Sequence, residues 1–390
     1  MLALLSIAEL LGMSLWFSAS AVSAQFRALW DLSSPETAWL TTIVQLGFVA
    51  GTACAAVLNL ADIVPARWLF ACSALIGAAA NAALLVAPSY GVALALRFAT
   101  GAALAGVYPP AMKMAATWFR QRRGLAVGTL VGALTVGKAG PYLVHAFQVA
   151  GIRPVVLTTT AGAIVGALMV AAAYRDGPFA FTSRPFSWGL VGTVLREPRW
   201  RLASGGYFGH MLELYAAWTW LPVFIAASFA ASRTGSVLGI GAESLASVLA
   251  FAALAIGGAG CVWGGFAADR HGREWLVTVA MAASGACALL IGFTFGRSAW
   301  LMVPVALAWG FFVVADSAQF SVLVTESVPA HAVGTALTLQ TSIGFALTAI
   351  TIQLVPRLAG ASGWQWAFPV LAIGPGLGIA SIRRLRRVRA

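Results

Sequence analysis

Gly265-Phe266-Ala267-Ala268-Asp269-Arg270-His271-Gly272-Arg273 decides the fold, because this stretch places small residues and fixed charges between two long apolar segments. Gly265 lets two helices approach closely, and Gly272 permits a sharp turn. Asp269, Arg270 and Arg273 can pair across helix ends at a membrane surface. The spacing therefore predicts a breakable latch, whereas the arginines alone would also fit a turn that only sets topology.

A degenerate counterpart of this stretch, Leu58-Asn59-Leu60-Ala61-Asp62-Ile63-Val64-Pro65-Ala66-Arg67, lies roughly half a chain earlier. The same loop recurring at half the chain length indicates two related halves. Leu58 and Ile63 stand where the second loop has glycine and arginine. We expect the two loops to supply the gating residues, namely Asp62, Arg67, Gly265, Asp269, Arg270 and Arg273.

The composition excludes a soluble protein. The chain has 390 residues, of which 60% are hydrophobic and 9% are charged, against roughly 25% charged residues in globular domains. Its mean hydropathy is +0.88. The apolar runs approach the ~20 residues that a helix needs to cross a bilayer, and no alternating strand pattern appears. The sequence predicts an all-α membrane protein.

The apolar runs divide into twelve predicted segments, numbered 1 to 12 in chain order. Between segments 6 and 7, residues 175–200 are polar and charged and are interpreted as an interdomain linker, in which Trp188 to Leu195 fits an amphipathic surface helix. The predicted domains are 1–174, 175–200 and 201–390. The segments are expected at 2–26, 35–60, 66–87, 89–118, 121–147, 150–174, 201–229, 240–266, 273–295, 298–328, 331–356 and 364–384.

The net charge of +12 is unevenly distributed over the two sides of this arrangement. Only Arg27, Arg153, Arg233, Arg297 and Arg357 fall on the second side. The asymmetry predicts a multi-pass protein of the plasma (inner) membrane with both termini in the cytoplasm, and a basic tail that contacts anionic lipid and not nucleic acid. The first side carries Arg67, Arg120, Arg122, Arg123, Arg175, Arg184, Arg196, Arg199, Arg201, Arg270, Arg273, Arg383, Arg384, Arg386, Arg387 and Arg389.

The first segment lacks a basic leader and carries Glu9, so it is interpreted as a retained helix and not as a secretory signal. The four cysteines have no paired spacing and lie in apolar segments. We interpret them as packing residues and expect no disulfide, no resident metal and no cofactor. They are Cys54, Cys72, Cys261 and Cys287.

The loop pattern Gly-x-x-x-Asp-Arg-x-Gly-Arg resembles the signature loop of the major facilitator superfamily. Arg97-Phe98-Ala99-Thr100-Gly101 is similar to that family's Arg-x-x-x-Gly pattern in segment 4, and Gly137-Lys138-Ala139-Gly140-Pro141 is similar to its Gly-Pro element in segment 5. The resemblance implies twelve transmembrane helices in two six-helix bundles with pseudo-two-fold symmetry. It also implies a monomeric transporter and no enzyme, with segments 1, 4, 7 and 10 lining a central cavity.

Charges within the segments carry the functional argument, because an ionisable group at the bilayer centre costs at least ~2.5–3.5 kcal/mol on insertion scales. The candidate proton-coupling residues are Glu9, His210, Glu213 and Asp316. His210 and Glu213 are three residues apart on one helical face and can interact directly. That pair fits either a proton site or a static hydrogen-bonded pair, and a metal site with Asp316 is the less favoured interpretation.

Six residues are the candidate substrate-binding set. Lys138 lies too deep in segment 5 to reach the surface easily, and Gly137 and Gly140 leave room for it to bind an anionic group or an acid on a neighbouring helix. Arg97 can bind an anion or pair with Glu9. Tyr108 precedes two prolines that must interrupt segment 4. The full set is Arg97, Tyr108, Lys138, Tyr207, Gln319 and Gln340.

The leading functional prediction is proton-coupled secondary transport of a small organic solute, anionic or zwitterionic, by alternating access. Its partners are then the solute, protons and the lipid bilayer. Export of amphipathic drugs in exchange for protons is the alternative within the class, favoured by the Gly-Pro element but opposed by Arg97 and Lys138. A non-transporting receptor and a metal-ion transporter are more remote alternatives. No nucleotide loop or nucleophile motif supports catalysis.

Overall fold

Helices make up nearly all of the computed structural model, which describes residues 1–119, 123–147, 151–179, 186–232, 236–237 and 240–389. Within these ranges one antiparallel ribbon departs from helix, pairing Ser236–Val237 with Ile240–Gly241. Eleven of the described helices are long and apolar enough to cross a membrane. Segment 1 supplies the twelfth crossing in broken form. The predicted all-α membrane class is confirmed.

The first half contains segments 1 to 6. Segment 2 begins with a capping box, in which the Ser33 hydroxyl and the Glu36 carboxylate satisfy each other's main-chain amides. Segment 1 comprises Leu2–Met13, Ser18–Ala21 and Ser23–Trp30; segment 2 is Ser34–Val57; segment 3 is Ala66–Ala83 with the 3₁₀ turn Leu84–Val86; segment 4 comprises Tyr90–Leu104 and Tyr108–Ala116; segment 5 is Arg123–Phe147; segment 6 is Ile152–Ala173. The turn between segments 2 and 3 holds the short helix Leu60–Ile63.

The second half contains segments 7 to 12 and repeats this order. Segment 7 is Pro198–Ala231; segment 8 is Ala242–His271; segment 9 is Arg273–Leu290 with the 3₁₀ turn Ile291–Thr294; segment 10 comprises Ala299–Ala315 and Ser317–Thr325; segment 11 is Val333–Ser362, preceded by the 3₁₀ turn Ala330–Ala332; segment 12 is Ile373–Arg389, preceded by the 3₁₀ turns Trp364–Trp366 and Pro369–Ala372.

The packing within each half follows one pattern. In the first half segment 1 packs on 5 and 6, segment 2 on 4, and segment 3 on 4 and 6. The second half repeats these contacts with every number raised by six: 7 on 11 and 12, 8 on 10, and 9 on 10 and 12. The halves meet where segment 5 packs on 8 and segment 11 on 2, which are also equivalent pairs. The packing therefore has the expected pseudo-two-fold symmetry.

Three segments are interrupted near their middles. Segment 4 breaks before Tyr108, and Pro109 and Pro110 occupy the first turn of its second helix, where a proline costs no hydrogen bond. This interruption was expected. Segment 10 breaks at Asp316, the equivalent place in the second half, and segment 1 breaks between Met13 and Ser18. The spans predicted at 2–26 and 298–328 therefore each consist of shorter helices, and these two interruptions were not predicted.

The polar stretch between the halves contains a helix at Trp188–Arg196, as expected from its sequence. Trp188 is exposed, whereas Val194 is buried against Trp200 and Ala336 of the second half. The helix thus lies on the side of the molecule that carries most of the arginines, which we call the basic side. The other side is called the opposite side. The division into 1–174, 175–200 and 201–390 is kept as our proposal.

Candidate functional site

Lys138 lies at the centre of the molecule, where the two halves meet. Its ammonium is 4.0 Å from the ring centroid of Trp16 in the first half, and 4.8 and 5.5 Å from the rings of Tyr215 and Trp218 in the second. It also donates a 2.6 Å hydrogen bond to the Tyr215 hydroxyl. The three rings, here called the aromatic cage, favour a cation through their negative faces. Lys138 therefore joins the halves without an ion pair in the described residues.

Glu9 lies in segment 1, which packs on the segment that carries Lys138. Segments 1 and 5 touch here because Gly137 packs against the main chain of Leu10. The Glu9 side chain is fully buried, and neither carboxylate oxygen has a hydrogen-bond partner among the described residues. Its charge interacts with that of Lys138. An unpartnered buried carboxylate is costly, so we propose that this group serves binding or proton exchange and not stability.

Arg97 does not contact Glu9. Its fully buried guanidinium donates hydrogen bonds to the main-chain carbonyls of Leu40, Leu15 and Trp16, and to the Ser18 hydroxyl. The break in segment 1 frees the Leu15 and Trp16 carbonyls from helical hydrogen bonds, and Arg97 donates to both of them. The geometry thus favours a role in holding Trp16 in place over the substrate-binding role expected from the sequence.

We predict that Arg97→Ala destabilises the protein, because it leaves the buried Trp16 carbonyl without a donor, at about 1–3 kcal/mol, and leaves the Leu15 carbonyl with the Ser18 hydroxyl alone. The stability of Arg97→Lys should lie between that of the unaltered chain and that of Arg97→Ala, because an ammonium lacks the planar fork of the guanidinium. Thermal unfolding in detergent measures the effect, with the exposed Arg153→Ala as control. A stable Arg97→Ala protein that has lost solute binding would restore the sequence-based interpretation.

His210 contacts Asp316 and not Glu213. Its Nδ1 atom lies 3.0 Å from the Asp316 carboxylate, although the angle is not that of a hydrogen bond. Its Nε2 atom lies 2.9 Å from the Ser317 hydroxyl. The expected direct pair of His210 and Glu213 is therefore wrong. The two residues share a helical face, but each contacts side chains of other segments. His210 and Asp316 form a buried pair at the break in segment 10.

Glu213 is fully engaged inside the second half. One carboxylate oxygen accepts a 2.8 Å hydrogen bond from the Ser284 hydroxyl, and the other accepts one of the same length from the Trp309 indole. Segments 7, 9 and 10 are thereby joined at one carboxylate. A carboxylate with a donor on each oxygen is suited to holding helices together, and we propose that role for Glu213.

We predict that Glu213→Gln lowers the stability of the protein but leaves proton-driven accumulation in place. The amide can accept only one of the two hydrogen bonds, and bonds to a charged acceptor contribute about 1.5–3 kcal/mol. Unfolding in detergent and uptake driven by a pH gradient should be measured on the same preparation. Loss of accumulation with normal stability would make Glu213 the coupling carboxylate.

Tyrosines connect Lys138 to the pair of His210 and Asp316, since Tyr215 binds Lys138 and interacts with Tyr207, which packs on His210. Tyr108, at the break in segment 4, and Tyr207 of segment 7 lie within electrostatic range of each other. The Tyr207 ring packs on His210 and Phe320. Gln319 and Gln340 are both buried. Gln319 precedes Phe320 in the chain, and the Gln340 amide lies 3.5 Å from the Phe320 carbonyl. Lys138, Tyr108 and Tyr207 thus lie around Tyr215, and the substrate-binding role of the full set stays a prediction.

A polar network joins the halves on the opposite side and was missed in the sequence. His145 of segment 5 contacts Gln25 at 3.0 Å and Ser247 of segment 8 at 2.9 Å, and lies 3.9 Å from Glu243. A second link is the 3.1 Å hydrogen bond from Gln353 to Thr42. Polar residues near helix ends are usually assigned to the interface, so only the packing of segments 5 and 8 reveals these contacts.

A cavity of about 370 Å³ opens beside this network. Its lining includes Tyr142, whose buried hydroxyl has no partner among the described residues. The Tyr142 ring packs on Phe17, and Phe17 packs on Trp218 of the aromatic cage. A chain of three rings, Tyr142, Phe17 and Trp218, thus links the lining of this vestibule to Lys138.

The charged turn between segments 8 and 9 forms one ion pair on the basic side. Arg273 lies 2.8 Å from Glu326, at the end of segment 10. Gly272 adopts a φ of 90°, as the expected sharp turn requires. A close helix approach occurs at Gly264, the residue before Gly265, where segment 8 meets Ala315. Only glycine tolerates these positions.

The expected partners of Asp269 differ from those observed. Asp269 and Arg270 are exposed and form no ion pair within the described chain, so the ion pair at this turn is that of Arg273 and Glu326. In the first half Arg67 lies 4.9 Å above the Trp68 ring. The side chain of Asp62 lies outside the described part of the protein.

Comparisons with known proteins agree with this architecture. Residues 4–344 match the family model described as Major Facilitator Superfamily. The chain is similar to a mutant of the nucleoside transporter NupG, with a TM-score of 0.74, 14% identity, and coverage of 98% of this chain and 99% of that one. It is also similar to a bacterial homologue of the human lysosomal transporter Spinster in an inward-facing, occupied conformation, with a TM-score of 0.68, 16% identity and coverage of 99% and 96%. These identities show the fold alone. No curated protein sequence matches.

Proposed function

The chain belongs to the major facilitator superfamily, as a secondary transporter and not an enzyme, and from that premise we propose that it moves a small organic solute by proton-coupled alternating access. The solute is anionic or zwitterionic. We place the protein in the plasma membrane as a monomer, with the basic side in the cytoplasm, because the arginines gather there.

One observation carries this proposal: buried ionisable side chains gather at two of the interrupted helices, and one of them, Lys138, lies between the halves. Lys138 and Glu9 lie beside the break in segment 1, and His210 with Asp316 lies at the break in segment 10. Discontinuous helices at corresponding places in two repeats are a feature of transporter binding sites. Ionisable groups in such a place support a solute site linked to proton exchange.

The gates follow from the same geometry. We propose that the network of His145, Gln25 and Ser247 joins the halves when the opposite side is closed and separates when that side opens. The ion pair of Arg273 and Glu326, with Asp269, Arg270 and the counterpart turn at Asp62 and Arg67, is the proposed latch of the basic side.

Export of amphipathic cations in exchange for protons is the second candidate. The observation in its favour is the aromatic cage, since such rings recognise organic cations. Against it, the cage already holds the Lys138 ammonium, which would repel a second cation at close range.

Uptake into proteoliposomes tests the proposal. The purified chain should be supplied in turn with monocarboxylates, amino acids, a nucleoside and an organic amine, with and without an imposed pH gradient. We expect at least one solute to accumulate inside the vesicles when the pH gradient is imposed. When a protonophore collapses the gradient, the same solute should reach equal concentrations on the two sides and no more. A chain that binds solutes but moves none would be a receptor. Movement unaffected by the gradient would indicate a facilitator.

A further inference from the structure

The aromatic cage contains more hydrogen-bond donors than acceptors. The Lys138 ammonium has three N–H groups, and among the described residues the Tyr215 hydroxyl is the one acceptor it reaches. The indole N–H groups of Trp16 and Trp218 are buried and have no partner in the described chain. These rings lie against the same ammonium. Unpaired buried donors around one cation indicate a ligand that brings anionic oxygens.

Glu9 presents the reverse situation, a carboxylate without donors. Tyr108 faces it from segment 4 and Lys138 from segment 5. Segment 6, which also packs on segment 1, carries its one charged residue, Arg153, in its first turn on the opposite side. Arg97 is occupied by the carbonyls of the segment 1 break. Lys138 is therefore the cation within reach of Glu9 among these packed elements.

One buried cation can balance only one of two carboxylates. If Glu9 is ionised, Lys138 neutralises it, and a second anion would be buried without a partner, at a cost of several kcal/mol. If Glu9 takes a proton from water, Lys138 is available to the anion of a solute. The solute and the proton then enter the site together and leave it together, and no net charge is moved.

Building on the transport function above, we propose that the central site binds a monocarboxylate together with one proton, because Glu9 and the carboxylate of the solute compete for Lys138. The indole groups of Trp16 and Trp218 donate to the same carboxylate. The surrounding rings, which include Phe48 and Phe345 packed at 4.6 Å, favour a planar apolar body. The transporter is thus an electroneutral proton and carboxylate symporter.

Binding of phenylacetate and of its neutral analogue phenylacetamide to the purified full chain tests this inference. We expect phenylacetate to bind at least about tenfold more tightly. Its affinity should fall about tenfold for each rise of one pH unit above the range where Glu9 is protonated, because one proton is taken up per anion. Calorimetry in two buffers with different ionisation enthalpies should give one proton per phenylacetate. Equal binding of acid and amide would overturn the inference.

Variants of Glu9 separate coupling from folding. Glu9→Gln, an uncharged mimic of the protonated form, should bind phenylacetate with no dependence on pH, whereas Glu9→Asp should keep the slope. Both variants need a normal unfolding curve. If Glu9→Gln does not fold, the inference is decided by the pH dependence of phenylacetate affinity in Glu9→Asp and by the number of protons taken up by the unaltered chain. A Glu9→Gln chain that keeps the slope overturns the inference.

The transport panel distinguishes this inference from the function on which it rests. If a nucleoside or an amine accumulates with the pH gradient while monocarboxylates neither bind nor move, the carboxylate inference falls and the transport proposal stands. If no solute moves, both fall. If phenylacetate moves, an imposed membrane potential should not change its rate, and a dependence on the potential would overturn the electroneutral mechanism.

Discussion

Linking cysteines at His145 and Ser247 is expected to abolish transport. The side chains lie 2.9 Å apart and belong to different halves, so a short bifunctional thiol reagent should hold the opposite side closed. Alternating access requires this side to open once in every cycle. Solute uptake in proteoliposomes should fall to the level of empty vesicles after linking, and cleavage of the link should restore it.

The background for this experiment needs all four native cysteines replaced, because Cys54 and Cys72 are exposed. A matched control links cysteines at Thr117 and Tyr174, whose hydroxyls are 3.2 Å apart within the first half. That link should leave transport intact, since each half moves as a unit. Full transport with His145 and Ser247 fully linked would contradict alternating access at this interface.

Lys138→Ala is expected to remove solute binding and to stop transport. The substitution deletes the cation in the aromatic cage and leaves Glu9 without its opposite charge. Removing one partner of a buried charged pair costs 2–5 kcal/mol, which corresponds to a loss of affinity of about 30-fold or more. The measurement is the affinity for an anionic solute and for its neutral analogue, with the neutral one affected less.

Two further variants complete this prediction. Lys138→Arg keeps the charge but replaces a compact ammonium by a planar fork, and it should also weaken binding in a cage fitted to a point charge. Arg357→Ala removes a positive charge from an exposed surface position and serves as control. If Lys138→Ala binds both solutes as well as the unaltered chain does, Lys138 is only a link between the halves.

The sequence contains the information for the membrane class, the repeat and most segment bounds, because each rests on local apolar runs and on one recurring loop. The break in segment 4 is also local, since Pro109 and Pro110 require it. The break in segment 1 is not: residues 14–17 contain neither glycine nor proline, and Arg97 stabilises their free carbonyls from a distant segment. Such a long-range contact has no local signal.

In the candidate site too, local features could be predicted from the sequence and long-range contacts could not. The depth of Lys138 in segment 5 follows from counting residues, and its importance could be predicted. Its partners could not, because Trp16 and Tyr215 come from segments 1 and 7 and converge only in the packed structure. The helical spacing of His210 and Glu213 was misleading for the same reason: neighbouring helices supplied better partners for each, namely Asp316 for one and Trp309 for the other.

Proton movement during solute entry tests the central claim most directly. Proteoliposomes containing the purified chain and an internal pH indicator should receive, on the outside, a solute that the chain transports. We predict that the interior acidifies as the solute enters, at a rate that follows solute uptake, and that Glu9→Gln exchanges solute without any change in internal pH. Solute entry through the unaltered chain at constant internal pH would contradict proton coupling.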